Sequence, residues 1–338
     1  MIRASYIDYP LIFVRPAGTS RGILQRKPCI FIRLTDTDGI SGLGEVSFIP
    51  GLSVEDEDEL EIQVDHICKL ISRGEMDPGQ QLPSLPGVQF ALESAFRDLE
   101  TGGEKLLFPS EFTRGLEGIP TNGLIWMGSK PFMIAQIREK MQLGFHVLKL
   151  KVGALDFSEE LAVVRWIRSE FRKADLEIRL DANGAWAAEE ALEKMELLSR
   201  SEIHSIEQPI AAGRHEDMAM LCRSAPIPVA LDEELIGVSD PAERRKILES
   251  LKPAYIILKP GLLGGFSVAK HWIELADSMG IGWWITSALE SNVGLNAIAQ
   301  WTWMQGLSRP QGLGTGMLYT NNLPSPLEMR GEQLWYRP

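Results

Sequence analysis

The chain has 338 residues, with 34 Lys and Arg against 46 Asp and Glu, giving a net charge of −12. Such a surface repels phosphate backbones and anionic lipid, and no run of Lys and Arg interleaved with aromatics offsets it, so neither a nucleic-acid nor a membrane partner is expected. With 44% hydrophobic residues the chain can bury a large core, which excludes disorder as its main state.

Three cysteines, Cys29, Cys68 and Cys222, are far apart and form no CxxC pair, as expected of a reducing cytoplasm. The first residues contain no apolar leader core, and no later run approaches the roughly 18 apolar residues of a membrane span. The expectation is a soluble, cytoplasmic protein.

In chain order, Tyr6 to Val14, Cys29 to Leu34 and Ile40 to Val46 read as strands, with Asp36 to Gly39 as a turn. Gly42-Leu-Gly44 lacks the rest of a dinucleotide fingerprint and reads as a hairpin feature. Two helices follow. Val54 to Ser72 places Leu60, Val64, Ile67 and Ile71 on one side; Val88 to Leu99 does the same with Ala91, Leu92, Ala95 and Leu99. Strands followed by helices predict an α+β unit over residues 1–118, with Gly115 to Pro120 as linker.

Beyond it, short apolar runs end in polar residues and alternate with helical spacing. They cover Gly123–Met127, Val147–Lys151, Leu176–Asp181, His204–Glu207, Ile227–Asp232, Tyr255–Lys259, Trp283–Thr286 and, weakly, the neighbourhood of Gly312. Eight units, spaced as one strand plus one helix, predict a (β/α) TIM-type barrel over residues 119–316. The Pro-rich segment 317–338 is expected to return and pack on the N-terminal unit.

Barrel active sites lie at the C-terminal ends of the strands. Asp181, Glu207 and Asp232 close three consecutive runs. Strands about 4.8 Å apart bring three carboxylates around one point, where they repel unless a cation sits between them. Hard oxygen donors without Cys or His favour Mg²⁺ over Zn²⁺. For any one of the three alone, a helix N-cap or turn is the plainer explanation.

Lys149 and Lys151 share one face of their strand while Leu148 and Leu150 point to the other. Two ammonium groups in the barrel mouth are expected to have lowered pKa values, through desolvation and mutual repulsion. Lys259 enters from the sixth run, across the barrel; a lysine reaching out to solvent is the alternative. A metal flanked by lysines suggests a reaction through an oxyanion. The metal would hold a substrate carboxylate, one lysine would remove the α-proton, and metal and opposite lysine would stabilise the enediolate. The five histidines show no ligand spacing, and no Walker, HExxH or GxSxG motif is present.

The series Lys149-x-Lys151, Asp181-x-Asn183, Glu207-Gln-Pro209, Asp232-Glu233 and Lys259-Pro260 resembles the enolase superfamily, in its muconate-lactonizing-enzyme-like subgroup. A lysine base beside Mg²⁺ is that superfamily's known arrangement. The resemblance implies a capping domain before the barrel, Mg²⁺ on the three carboxylates with Asn183 and Glu233 beside them, and Lys151 and Lys259 as the acid/base pair with Lys149 next to them. Glu234 departs from the pattern, in which Ser commonly follows Asp-Glu.

Within the subgroup, three segments resemble the o-succinylbenzoate synthases: Arg15 to Gly22, Ser287 to Ser291 and Gly312 to Tyr319. That resemblance implies Mg²⁺-dependent dehydration of a small dicarboxylate in menaquinone synthesis, by a lyase. Thr19, Ser20, Arg21, Ser287, Glu290, Gly314 and Thr315 are its expected substrate contacts. Gly314-Thr-Gly316 stands where dipeptide epimerases usually carry Asp-x-Asp, which disfavours a cationic substrate. An N-acylamino acid racemase, a dipeptide epimerase and a non-catalytic barrel binding protein stay open as alternatives, and the oligomeric state is not readable.

Overall fold

The computed structural model describes residues 2–19 and 22–338, with backbone alone at 16–19, 22 and 23. The N-terminal strands are β1 (Arg3–Asp8), β2 (Leu11–Thr19), β3 (Gly22–Lys27), β4 (Ile30–Thr35) and β5 (Ser41–Val46). The strand expected over Tyr6–Val14 is therefore two, broken at Tyr9-Pro10, because proline cannot donate to a ladder. Within the segment Arg15–Gly22, residues 15–19 belong to β2 and Gly22 opens β3, and Thr19 pairs with Gly22.

β1, β4 and β5 form an antiparallel sheet backed by α1 (Glu57–Arg73) and α2 (Pro86–Glu100). Asp56 caps α1 by accepting from the Asp58 amide, and three acidic residues in its first turn complement the helix dipole. Gly42 and Gly44 have a packing role: a Cβ on either would come within 1.9 Å of a carbonyl oxygen of α2, Ala95 and Ala91 respectively. Only glycine lets the helix lie so close to β5.

After β6 (Ile119–Pro120), seven parallel strands follow: β7 (Gly123–Ile125), β8 (Val147–Lys151), β9 (Glu177–Asp181), β10 (Ser205–Glu207), β11 (Val229–Leu231), β12 (Tyr255–Leu258) and β13 (Gly282–Ile285). They pair in chain order from β7 to β13. The eighth position holds single bridges instead of a strand: Gln311 pairs with Thr121 before β7, and Gly312 with Thr286 after β13, both parallel. These bridges join the two edges of the sheet.

Period-two alternation sorts the strand side chains. Leu148, Leu150, Ile178, Leu180, Ile206, Leu231, Ile256 and Leu258 join the large core shared with the helices. Ala230, Ile257 and Trp284 form a separate small cluster. The Arg179 guanidinium lies 4.3 Å from the ring centroid of Trp284 and donates to the Pro310 carbonyl at 3.0 Å. This layer is the floor beneath the polar strand ends.

The last strands, β14 (Leu327–Arg330) and β15 (Gln333–Tyr336), form an antiparallel sheet with β6. Ahead of them, Tyr319 bridges to Phe13, the Thr320 amide donates to the Ile12 carbonyl at 2.9 Å, and the Tyr9 hydroxyl donates to the Asn321 carbonyl at 2.8 Å. The C-terminal segment thus lies against the N-terminal hairpin.

Candidate active site

Strand register brings the expected polar residues together. Lys151 pairs with Asp181 across β8–β9, and Asp181 with Glu207 across β9–β10. Asp232 follows β11 directly, and Lys259 follows β12. The three carboxylate residues are each no more than 2% exposed. Lys149 Nζ donates to Glu207 at 2.7 Å and lies 2.9 Å from Asp181. Lys151 Nζ donates to Asp181 at 3.1 Å and to Asn183 Oδ1 at 2.6 Å; Lys259 Nζ donates to Asp232. Asn183 in turn donates to Glu233 at 3.1 Å.

The electrostatics correct one expectation. Burial alone would lower Lys149, but attraction to Asp181, Glu207 and Asp232 outweighs it and holds the ammonium above its ordinary value. Lys149 is a counter-ion to carboxylates, not an amine made neutral by its neighbour. Lys259 is likewise raised: burial opposes charge, while Asp232, Glu233 and Glu207 favour it. Burial would raise Asp181, yet Lys149, Lys151 and Lys259 together hold it well below the usual range. Glu207 is pushed up to about 8, by burial first and then by repulsion from Asp181 and Asp232.

The group opens into a cavity of about 220 Å³. Lys149, Lys151, Asp181, Asn183 and Lys259 form its charged and polar side, and Ser287, Gly314 and Thr315 line it too. Leu24, Ile49, Leu52, Leu124 and Trp126 supply apolar walls. The Ser287 and Thr315 hydroxyls are 2.6 Å apart. Thr19 has only its backbone described, and Ser20 and Arg21 lie outside the described residues.

Glu290 is not a cavity residue. It is fully buried, accepting from the Ser47 hydroxyl at 2.7 Å and from the Ala288 amide at 2.5 Å. Beside it, Glu45 accepts from the Ser291 and Gly294 amides at 2.8 and 2.9 Å, and Lys27 Nζ stands 3.6 Å from Glu45. Both carboxylates thus tie the loop after β13 to the N-terminal sheet.

Two supporting residues were not legible from spacing. Gln208, fully buried at φ +38°, accepts through its side chain from the Asp232 amide at 3.1 Å and donates to the Ile210 carbonyl at 3.0 Å. It sets the end of β11 relative to the end of β10. Glu160 accepts from the Gly153, Ala154 and Leu155 amides at 2.7 to 3.2 Å, fixing the loop that follows Lys151. Glu234 accepts from Gln208 at 3.2 Å and pairs with His215 at 3.0 Å, so the departure from the pattern is absorbed structurally.

Comparison with known proteins agrees with this fold. Residues 133–328 match the family model described as enolase C-terminal domain-like. The chain is 48% identical to the o-succinylbenzoate synthase of Desulfotalea psychrophila, over 97% of either chain. It belongs to the o-succinylbenzoate synthase family of the enolase superfamily. The crystal structure of MenC from Desulfotalea psychrophila superposes with a TM-score of 0.88 at 44% identity, covering 99% of both chains. The L-Ala-D/L-Glu epimerase of Bacillus subtilis shares the fold, with a TM-score of 0.83 at 20% identity over 99% of this chain and 95% of that one.

Enzymes of the enolase superfamily are generally metal-dependent. Among the described residues no three His, Cys, Asp or Glu side chains already converge as a metal site. Instead Lys149 reaches both Asp181 and Glu207, and Lys259 reaches Asp232. The donor set nevertheless fits a hard divalent cation: three buried carboxylates on adjacent strands, one of them, Glu207, raised by burial and by repulsion from the other two. Among the described residues, no helix is long and apolar enough to cross a membrane.

Proposed function

We infer that this chain is a Mg²⁺-dependent lyase. It dehydrates 2-succinyl-6-hydroxy-2,4-cyclohexadiene-1-carboxylate to o-succinylbenzoate, a step of menaquinone synthesis. The reading is carried by near full-length identity of 48% to an o-succinylbenzoate synthase, with lysines on either side of a carboxylate cluster.

Asp181, Glu207 and Asp232 would hold Mg²⁺, with Asn183 and Glu233 beside them. Bound there, the cation would neutralise the carboxylates and stabilise negative charge on the substrate's ring carboxylate. Lys151 takes the proton α to that carboxylate. Lys259, as the ammonium, faces the enediolate and lowers its energy. The proton on Lys151 then goes to the departing hydroxide on the same face. The C–H and C–O bonds break, a C=C bond forms, and water and an aromatic ring result. Aromatisation favours the elimination, so the residues need lower only the barrier to proton abstraction.

Ser287, Gly314 and Thr315 face the remainder of the substrate, and the family resemblance makes Thr19, Ser20 and Arg21 the alternative contacts to its tail. Residues 1–118 serve as the cap, 119–316 as the catalytic barrel and 317–338 as the returning segment. The test is incubation with the cyclohexadiene and Mg²⁺. Formation of o-succinylbenzoate supports the reading; racemisation or epimerisation of an acylated amino acid or dipeptide, without dehydration, replaces it.

A further inference from the structure

The ring of strands is chemically divided. Counting β7 as first and the Gln311–Thr315 segment as eighth, positions three to five carry Asp181, Glu207 and Asp232, and positions two and six carry the lysines. Opposite the carboxylates, at positions seven, eight and one, no described charged side chain lines the cavity. Its polar side chains there, besides Thr286, whose hydroxyl donates to the Gly312 carbonyl at 3.0 Å, are Ser287, Thr315 and Asn122.

All three are fastened to the same stretch of chain. The Asn122 amide donates to the Gln311 carbonyl at 2.8 Å, the Ser287 amide to the Gly312 carbonyl at 3.1 Å, and the Ser287 hydroxyl meets that of Thr315. Asn122 is 4% exposed, lines the cavity, and leaves its side-chain Oδ1 buried with no hydrogen-bond partner. Asn122 thus brings unused hydrogen-bonding capacity to a residue that lines the cavity.

We propose that Asn122, with Ser287 and Thr315, forms an uncharged seat for the second carboxylate of the substrate, making Asn122 a substrate-positioning residue. This rests on the dicarboxylate reading above. A half-turn of the amide exchanges Oδ1 and Nδ2, so that the buried position becomes a donor. The hydroxyl pair shares one of its two protons internally and offers the other. The seat therefore supplies two donors and no cation.

The absence of charge has a purpose in orientation. A substrate with a carboxylate at each end could enter either way round. A cation at the tail would compete with the metal for the ring carboxylate, whereas a neutral seat leaves one strongly anion-binding end and one productive pose.

The test uses the full chain with Mg²⁺, measuring turnover of the cyclohexadiene, and calorimetric binding of o-succinylbenzoate and of its analogue with the tail carboxylate converted to a carboxamide. Asn122→Ser should raise KM and the product Kd about tenfold or more, with a smaller change in kcat. Asn122→Asp should weaken the dicarboxylate further and prefer the carboxamide analogue, a reversal that loss of packing alone does not produce. Asn122→Ser keeps the test open should the aspartate variant fold poorly, and thermal melts of both identify that case.

Wild-type turnover with unchanged KM and product affinity in the Asn122 variants overturns the seat alone. So does a large rise in KM in Arg21→Ala with none at Asn122. A wild-type protein that neither dehydrates nor binds the dicarboxylate overturns the functional reading along with it.

Discussion

Lys151 and Lys259 stand four positions apart in a ring of eight, Lys151 ending β8 and Lys259 following β12, so they enter the cavity from opposite sides. A planar intermediate between them meets one amine on each face. Lys151→Ala should remove the base and Lys259→Ala the opposing charge, each lowering kcat about 10²-fold or more with the fold intact by circular dichroism. Near-normal turnover of Lys151→Ala would remove it from the mechanism.

Chelation should abolish turnover, and added Mg²⁺ should restore it. Lys149 bridges Asp181 and Glu207, and Lys259 pairs with Asp232; a bound cation should take over that charge balance and release Lys259 toward the substrate. Asp232→Asn should weaken Mg²⁺ binding sharply in a calorimetric titration. Full activity of the metal-free protein would show that the lysines alone suffice.

Much of this candidate site was legible because five barrel strands end in, or run directly into, one of its charged residues. The endings at Lys151, Asp181, Glu207, Asp232 and Lys259 recur at one strand-plus-helix spacing, and register turns that spacing into adjacency. The eighth strand read weakly because only Gln311 and Gly312 bridge their neighbours. Glu290 misled because spacing along a loop does not say which way a side chain turns; its partner Ser47 lies on the other side of the chain's sequence. The Lys149 pKa was misjudged because the neighbouring ammonium on its own strand was weighed, whereas carboxylates on other strands dominate. Asn122 carries no signal in sequence, since an asparagine before a short strand is unremarkable until its amide is seen unpaired in a cavity.

Gln208 should matter without touching substrate. Its side chain joins the ends of β10 and β11 through the Asp232 amide, and its left-handed backbone turns the chain after Glu207. Gln208→Ala leaves buried amides unpaired, at about 1–3 kcal/mol of stability. By loosening Asp232 it should weaken Mg²⁺ affinity roughly 10- to 100-fold. Denaturation midpoints and metal titration measure the two effects; an unchanged Mg²⁺ affinity would confine Gln208 to a structural role.

Glu290 gives a pH signature distinct from catalysis. Burial, then repulsion from Glu45, raises its carboxyl above the ordinary value of 4.5, against the pull of Lys27 and the Ser47 hydrogen bond. An acid with a higher pKa folded than unfolded favours the folded state fully below 4.5, and that contribution is lost as pH rises through the folded value. Glu290→Gln cannot titrate. Its stability difference from wild type, which at about pH 5 includes the lost acceptor for the Ala288 amide, should therefore shift toward the variant by about pH 8. Urea midpoints of both proteins at the two pH values measure that shift. Parallel pH dependences would mean that Glu290 titrates alike folded and unfolded, and that Lys27 and the donors around it offset its burial completely.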